Sequence, residues 1–504
     1  MSKRIILLFI FLLTIKCFEV PDKLKDICPE GCKAYFFCDE KEKKCKFKGF
    51  FPLYPLELIE LFILMISSSL ATSCGIGGGI VYSSIILGVE ELEPSQAFPI
   101  SNFLILLCGF VTFISFALDK YQHPKSLFIH YDVATIFAPS MLVGAKFGAI
   151  LNKILPSTLL LILLCCLVCF TTRKTYYNIL KAKAREAKLK EKEKERFLEN
   201  NNNENEKNDK RKKNHNSSNN KKMTNSIIVQ EAFDHEDKID FSRLSSFEEN
   251  ISNISYKSEL NDDEKQKILN EDDYPLNWER INYILFLEFV VIIDQLIEGS
   301  SRVPSFLGIK KCSFFYWLTF IVFVVICLYF VKVSINKVYI HIHNKKKVFP
   351  EFKSEIIDKI EKNTFFVVSI AIIAGIVSSS LGLGGGMITN PLFASLGMEP
   401  KQSSTTSNFL IIVTAIASSF IFILSGQLEI GYSICLGIFC TGAALIGSFY
   451  ILKYINRTGK SSILLVIMEY FLVISFLITI YKLYTFDLKG YTFIESLFVV
   501  NKFC

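Results

Sequence analysis

The sequence predicts an all-α polytopic membrane protein made of two repeats of opposite orientation, each opening with a glycine-broken helix. Three observations carry that expectation. Apolar runs of membrane-spanning length recur along the 504 residues, 51% of which are hydrophobic, and mean hydropathy is +0.36. Two apolar segments share one pattern: SSSLATSCGIGGGIVYSSIILGVEELEPSQAFPISNFLIL (Ser67–Leu106) and SSSLGLGGGMITNPLFASLGMEPKQSSTTSNFLII (Ser378–Ile412). Each sets SSS before G-x-GGG, then P-x-Q, then SNFL, and repeated halves around a glycine-interrupted apolar helix are a signature of secondary transporters. Basic residues concentrate in polar gaps beside apolar segments, so the net charge of +7 reports membrane orientation rather than a nucleic-acid partner.

Taken in chain order, residues 1–18 read as a secretory signal peptide. Lys3 and Arg4 precede an apolar core, Ile5–Ile15, that is too short to span a bilayer; an uncleaved segment is the alternative. Residues 19–55 form a Cys-rich segment delivered outside the cytosol. Cys28, Cys32, Cys38 and Cys45 are candidates for two disulfides, with three pairings open. A zinc site is the other reading, but the spacings are not paired C-x-x-C knuckles and no histidine accompanies them. Most remaining cysteines, such as Cys165, Cys166 and Cys169, lie in apolar helices and read as reduced packing residues.

A first transmembrane repeat is expected at 56–172 and a second at 364–482. Between them lie a cytosolic low-complexity loop (173–280), a helix pair (281–335) and a basic loop (336–363), and a tail (483–504) follows. A helix needs ~20 apolar residues to cross the bilayer. Full spans are expected at Phe98–Leu118, Val133–Leu151, Ser157–Thr172, Ile281–Ile297, Phe314–Val333, Thr405–Leu424, Ile430–Tyr454 and Ser461–Tyr481. Leu56–Ser73 and Thr364–Leu381 precede the glycines, each followed by a short apolar arm; such a segment either crosses with a ragged end or enters and returns. Charge parity favours return. With the N-terminus outside, Lys120–Lys125, Arg173–Lys222, Lys337–Lys362 and Lys453–Lys460 all fall inside only if both glycine segments double back. Within the long loop, Lys181–Arg196 reads as a solvated Lys/Glu helix, and Asn-rich Asn200–Asn220 cannot pack a core.

Bare backbone at membrane depth is tolerated only when buried in protein or lining a wet cavity. Gly77, Gly78 and Gly79, and Gly384, Gly385 and Gly386, allow a reversal and expose amide N–H groups where a returning helix begins, a setting that favours an anion. Close helix packing is the competing reading of these glycines. Ser101 with Asn102, and Ser407 with Asn408, hold matched places and could complete an anion's coordination or simply hydrogen-bond between helices. Lys146, flanked by Gly144 and Gly148, could attract an anion. Glu288, Asp294 and Glu469 are intramembrane acids that could serve a coupling proton or be neutralised by salt bridges.

These motifs resemble the TauE/SafE sulfite-exporter-like permeases, including eukaryotic members. The resemblance rests on GIGGG (Gly75–Gly79), LGLGGG (Leu381–Gly386), the two SNF triplets, MLVGAKFGAILNKILP (Met141–Pro156), CSFFYW (Cys312–Trp317) and GSFYILKYINRTGKSS (Gly447–Ser462). It implies a permease for a small anion, sulfite or an organosulfonate, worked by alternating access. Relative to compact members, the Cys-rich segment, the long loop and the helix pair read as additions. The alternative is a non-transporting receptor or scaffold that uses the Cys-rich segment. The expected partners are the lipid bilayer and a small anionic substrate, on a secretory-route membrane, with no cofactor and no metal. An enzyme is not expected: no P-loop, H-E-x-x-H or nucleophile elbow is present, and G-x-GGG between apolar helices is not a dinucleotide fingerprint.

Overall fold

In hydrocarbon a backbone must bond within its own segment, so each long apolar run becomes a helix. The computed structural model describes residues 36–39, 44–47, 49–50, 53, 55–74, 78–89, 92–122, 129–177, 179–180, 183–184, 276–300, 302–310, 313–348, 355–451 and 461–487. Contacts group residues 1–184 with 267–504 in one unit and 185–266 in another, and every described residue belongs to the first. The expected signal peptide, Cys28, Cys32, Gly77 and nearly all of the low-complexity loop lie outside the described residues.

The described helices are α1 (Pro55–Cys74), α2 (Gly79–Val89), α3 (Pro94–Gln122), α4 (Tyr131–Ile154), α5 (Ser157–Tyr177), α6 (Trp278–Glu298) and α7 (Phe314–Val348). They continue with α8 (Glu355–Lys362), α9 (Thr364–Leu381), α10 (Gly386–Leu396), α11 (Pro400–Ser425), α12 (Ile430–Ile446), which runs into a π-helical turn at Gly447–Ile451, and α13 (Ser461–Asp487). Eight of them are long and apolar enough to cross a membrane: α3, α4, α5, α7, α9, α11, α12 and α13. The protein is an all-α, multi-pass membrane protein.

Three details differ from expectation. A short antiparallel hairpin, β1 (Phe36–Asp39) with β2 (Lys44–Phe47), precedes the helices and makes Cys38 and Cys45 register partners. Cys435, inside apolar α12, is disulfide-bonded rather than reduced. The expected span Ile281–Ile297 is not among the eight, because α6 carries Glu279, Arg280, Glu288, Asp294 and Glu298. Helix α7 also runs past its expected end to Val348, a length of about 52 Å against the ~30 Å of a hydrocarbon core, and ends on Lys345, Lys346 and Lys347.

Side-chain contacts fix the helix directions. Ser68 Oγ donates to the Cys440 carbonyl (2.8 Å) and Thr72 Oγ1 to that of Ala444 (3.4 Å), so α1 and α12 run parallel. Helix α3 shares their direction, since Leu104 and Leu107 lie over Gly437 while Cys108 meets Ser68. A second trio repeats the arrangement. Gly144 and Gly148 of α4 pack on the Ile372 and Ile376 carbonyls of α9. Helix α11 lies parallel to α4, tied by His130 N to Thr406 Oγ1 (2.9 Å) at one end and Gln427 Nε2 to Asn152 Oδ1 (3.2 Å) at the other.

In each trio the short helix after the glycines runs back. Gly79 lies beside Ile105 and Ser101 of α3. Gly386 lies beside Ile411, Thr389 beside Ser407 (2.6 Å) and Asn390 beside Ser403 (2.6 Å) of α11. The return is completed by Leu396, whose carbonyl accepts from Lys359 of α8, just ahead of the start of α9. The two SNF helices, α3 and α11, are antiparallel: Asn102 Nδ2 meets Ser418 Oγ (2.7 Å) and Asn408 Nδ2 the Gly109 carbonyl (3.2 Å). The two trios therefore point in opposite directions.

Close approach of α4 and α9 depends on Gly144, Gly148 and Gly375, where a Cβ would strike the facing backbone, as small residues permit in membranes. Gly144→Leu should separate the pair at a cost of about 1–3 kcal/mol or more. A clear fall in the thermal midpoint of purified protein is expected; an unchanged midpoint would contradict the packing.

Candidate substrate site at the glycine tips

The glycine breaks are where the two trios meet. A Cβ on Gly79 would stand 2.5 Å from the Leu383 carbonyl oxygen, so the first tip rests directly on the second. Gly382 has φ +61°, left-handed backbone that favours glycine, and packs on the Phe98 backbone. Ser101 Oγ bridges both tips, lying 3.2 Å from the Gly79 carbonyl and 2.8 Å from that of Gly382. Ser83 Oγ lies 3.1 Å from the Leu381 carbonyl. Ser407, matched to Ser101, sits 3.5 Å from the Gly386 carbonyl and 2.6 Å from Thr389 Oγ1. Each SNF serine thus reaches the last glycine of its own tip.

The structure brings Gly78, Gly79, Ser101, Gly384, Gly385, Gly386, Ser407 and Asn408 to the region where the tips meet, whereas Asn102 turns to Ser418 and Ser419 of α11 and Gly77 is not described. It does not bring Lys146 to them: Lys146 pairs with Asp294 and, at 2.7 Å, with Glu298 on α6. The serine and asparagine donors are engaged between helices. Asn102 Nδ2 bonds Ser418, while Asn102 Oδ1 is buried without a hydrogen-bond partner. Gly384 has φ +66°, and Gly385 faces the Met141 methyl and the Ala374 carbonyl. In the first turns the Tyr82 N–H donates to the Gly78 carbonyl (3.0 Å) and those of Ile388 and Thr389 to the Gly385 carbonyl (3.1 and 3.0 Å), so only the leading N–H groups fall outside each helical ladder.

Beside the first tip is a cavity of about 10 Å³ lined by Gly78, Tyr82, Cys108, Thr112 and Asn408 among others, roughly the space one water needs. Tyr82 is fully buried, with its hydroxyl near Ser68 and Cys108. A small oxyanion does not fit in that cavity. Sequence reasoning missed Tyr82, Ser83, Thr389 and the Ser418–Ser419 pair. The SSS and SNF triplets drew attention to serines, but these others match no repeated motif.

A family model described as "Sulfite exporter TauE/SafE" matches residues 5–175 and 305–477. The chain belongs to the TauE/SafE family. The matches include the whole Cys-rich segment and α7, so of the features expected as additions only α6 and the long loop fall between them. Among TauE/SafE relatives in Arabidopsis thaliana, "Sulfite exporter TauE/SafE family protein 1" is 21% identical over 423 residues, 81% of this chain and 79% of its own. "Family protein 2" is 23% identical over 419 residues, with the same coverage, and "family protein 5" 20% over 404, 80% of this chain and 77% of its own. No solved structure matches.

Proposed function

We propose that this TauE/SafE protein is a permease for a small oxyanion, sulfite or an organosulfonate, working by alternating access between two inverted repeats. The observation that carries the reading is the meeting of the two glycine tips, Gly79 on Leu383, with Ser101 bonded to both. The antiparallel pairing of α3 and α11 supports the inverted relation. Contact between the tips leaves no room for substrate, so they part to bind it. Parting frees Ser101 and Ser407 and exposes the leading amides of α2 and α10, ahead of those already bonded to the Gly78 and Gly385 carbonyls, which together suit an anion. The names of the Arabidopsis relatives favour sulfite among such anions.

On this reading the end of α3, the starts of α4, α6 and α9 and the end of α12 lie at one end of the bundle, near the stretches 123–130, 178–277, 349–354 and 452–460. The basic residues of those stretches make it the cytosolic end. On the same reading the start of α1 and the Cys-rich segment face the opposite, extracytosolic side.

Binding is tested on the purified protein by thermal midpoint in sulfite, thiosulfate, taurine and sulfate against chloride of equal ionic strength. A ligand at a hundred times its Kd stabilises by about 2.7 kcal/mol. A saturable rise with at least one oxyanion, diminished by Ser101→Ala, is expected. No rise above chloride with any of them would contradict an anion site.

A further inference from the structure

The two trios differ at several charged positions, and one of these, on α4, is buried and ion-paired. Gly148 rests on the Ile376 carbonyl and Gly447 on that of Ser69. Counted back from the last glycine of each run, Ile376 and Ser69 are equivalent, so Lys146 answers to Leu445. Only the second trio carries a cation there, and what it meets comes from α6, which lies between the two regions matched by the family model. Helix α6 runs parallel to α4, joined by Arg280 to Asp132 (2.8 Å) and by Lys146 to Asp294 and Glu298.

The cluster is built into the interior. Lys146 is 2% exposed, Glu298 1% and Asp294 13%, and the ammonium lies 4.4 Å from the Phe323 ring centroid and 5.3 Å from that of Phe320. Lys146 bonds both carboxylates, so with all three ionised this trio of groups carries a net negative charge, costly in a buried site. Around it, α7 presents Tyr316 and Cys327, α4 adds half-buried Lys153, and α11 and its following turn contribute only the neutral Ser425 and Gln427. Beside Lys146 and Glu298 is a cavity of about 50 Å³ lined also by Gln295, Ser300 and Tyr316, room for a few waters at ~10–15 Å³ each. A second acid points the same way. Glu288 shares the buried face of α6 with Gln295, is 4% exposed, and has no hydrogen-bond partner on either carboxylate oxygen.

We propose that Asp294 and Glu298 share one exchangeable proton beside Lys146, and that this cluster is where the protein takes up and releases protons. The step is a plain transfer: a hydronium in the cavity becomes water as one carboxylate oxygen gains an O–H bond, and the reverse returns it. Together with the permease reading, on which this second part rests, the cluster couples anion movement to a proton gradient, and Glu288 offers a further station along α6.

Infrared spectra of the purified protein in lipid test the proton site without any substrate. At pH 7, well above the ~4 at which exposed carboxyls titrate, wild type minus Glu298→Gln should show a carboxylic-acid band that shifts in D2O. Asp294→Asn gives the same readout if the first variant does not fold. No acid band in either difference would overturn the proposal. In proteoliposomes, anion flux accompanied by proton movement in wild type but not in Glu298→Gln is expected; flux without proton movement in wild type would overturn the coupling. Absence of flux with every anion would count against the permease reading, and the infrared result would still decide the proton site.

Discussion

Valine at Gly79 is expected to abolish transport. A Cβ there would stand 2.5 Å from the Leu383 carbonyl oxygen, main chain of the opposing tip with no rotamer to yield. The tips would have to separate, and the Ser101 bridge between Gly79 and Gly382 would break with them. Overpacking of this kind costs about 1–3 kcal/mol. Placed on the barrier to reclosing, that is roughly 5- to 150-fold in rate even for alanine. Gly385 offers an internal comparison, because its nearest neighbour is the Met141 methyl at 2.7 Å, the flexible end of a side chain. Initial uptake per folded protein should therefore fall at least several-fold in Gly79→Ala and much less in Gly385→Ala. Equal rates in the two would refute the direct contact of the tips.

Lys146→Met should have the largest effect on stability. It leaves Asp294 and Glu298 buried with no cation between them, and breaking a buried ion pair from one side costs about 3–5 kcal/mol. Thermal unfolding in detergent should show a large drop in midpoint that narrows on acidification, because protonated carboxyls need no cation. Adding Asp294→Asn and Glu298→Gln to the same protein should recover most of the loss, since a neutral cluster has no charge to bury. A single variant as stable as wild type would mean that the cluster is hydrated and exposed.

The sequence reached the helical class, the paired glycine breaks and their doubling back, because each leaves a local mark. Apolar length marks a span, G-x-GGG marks a break, and basic clusters mark one end of the bundle. The partners of those marks were not legible. Lys146 and Asp294 are 148 residues apart, and nothing in either neighbourhood names the other; only the parallel course of α4 and α6 brings them together. The glycines were read both as anion cradle and as packing device, and the structure shows the packing: Gly79 on Leu383 and Gly144 on Ile372. Ser101 and Asn102 stand out in the sequence for their donors, yet those donors are engaged between helices. The β-hairpin went unseen because its two strands have four residues each, too few for periodicity to register among lysines.

Two glycine tips that open and close around a small anion would make this protein a permease. Uptake of labelled sulfite into proteoliposomes tests it most directly, with thiosulfate, taurine and sulfate as competitors and Gly79→Val as the reference for a jammed tip. Saturable wild-type uptake, blocked by a subset of those anions, is expected, with none in Gly79→Val. Wild-type liposomes no more permeable than empty ones to every one of these anions, with or without a proton gradient, would contradict it.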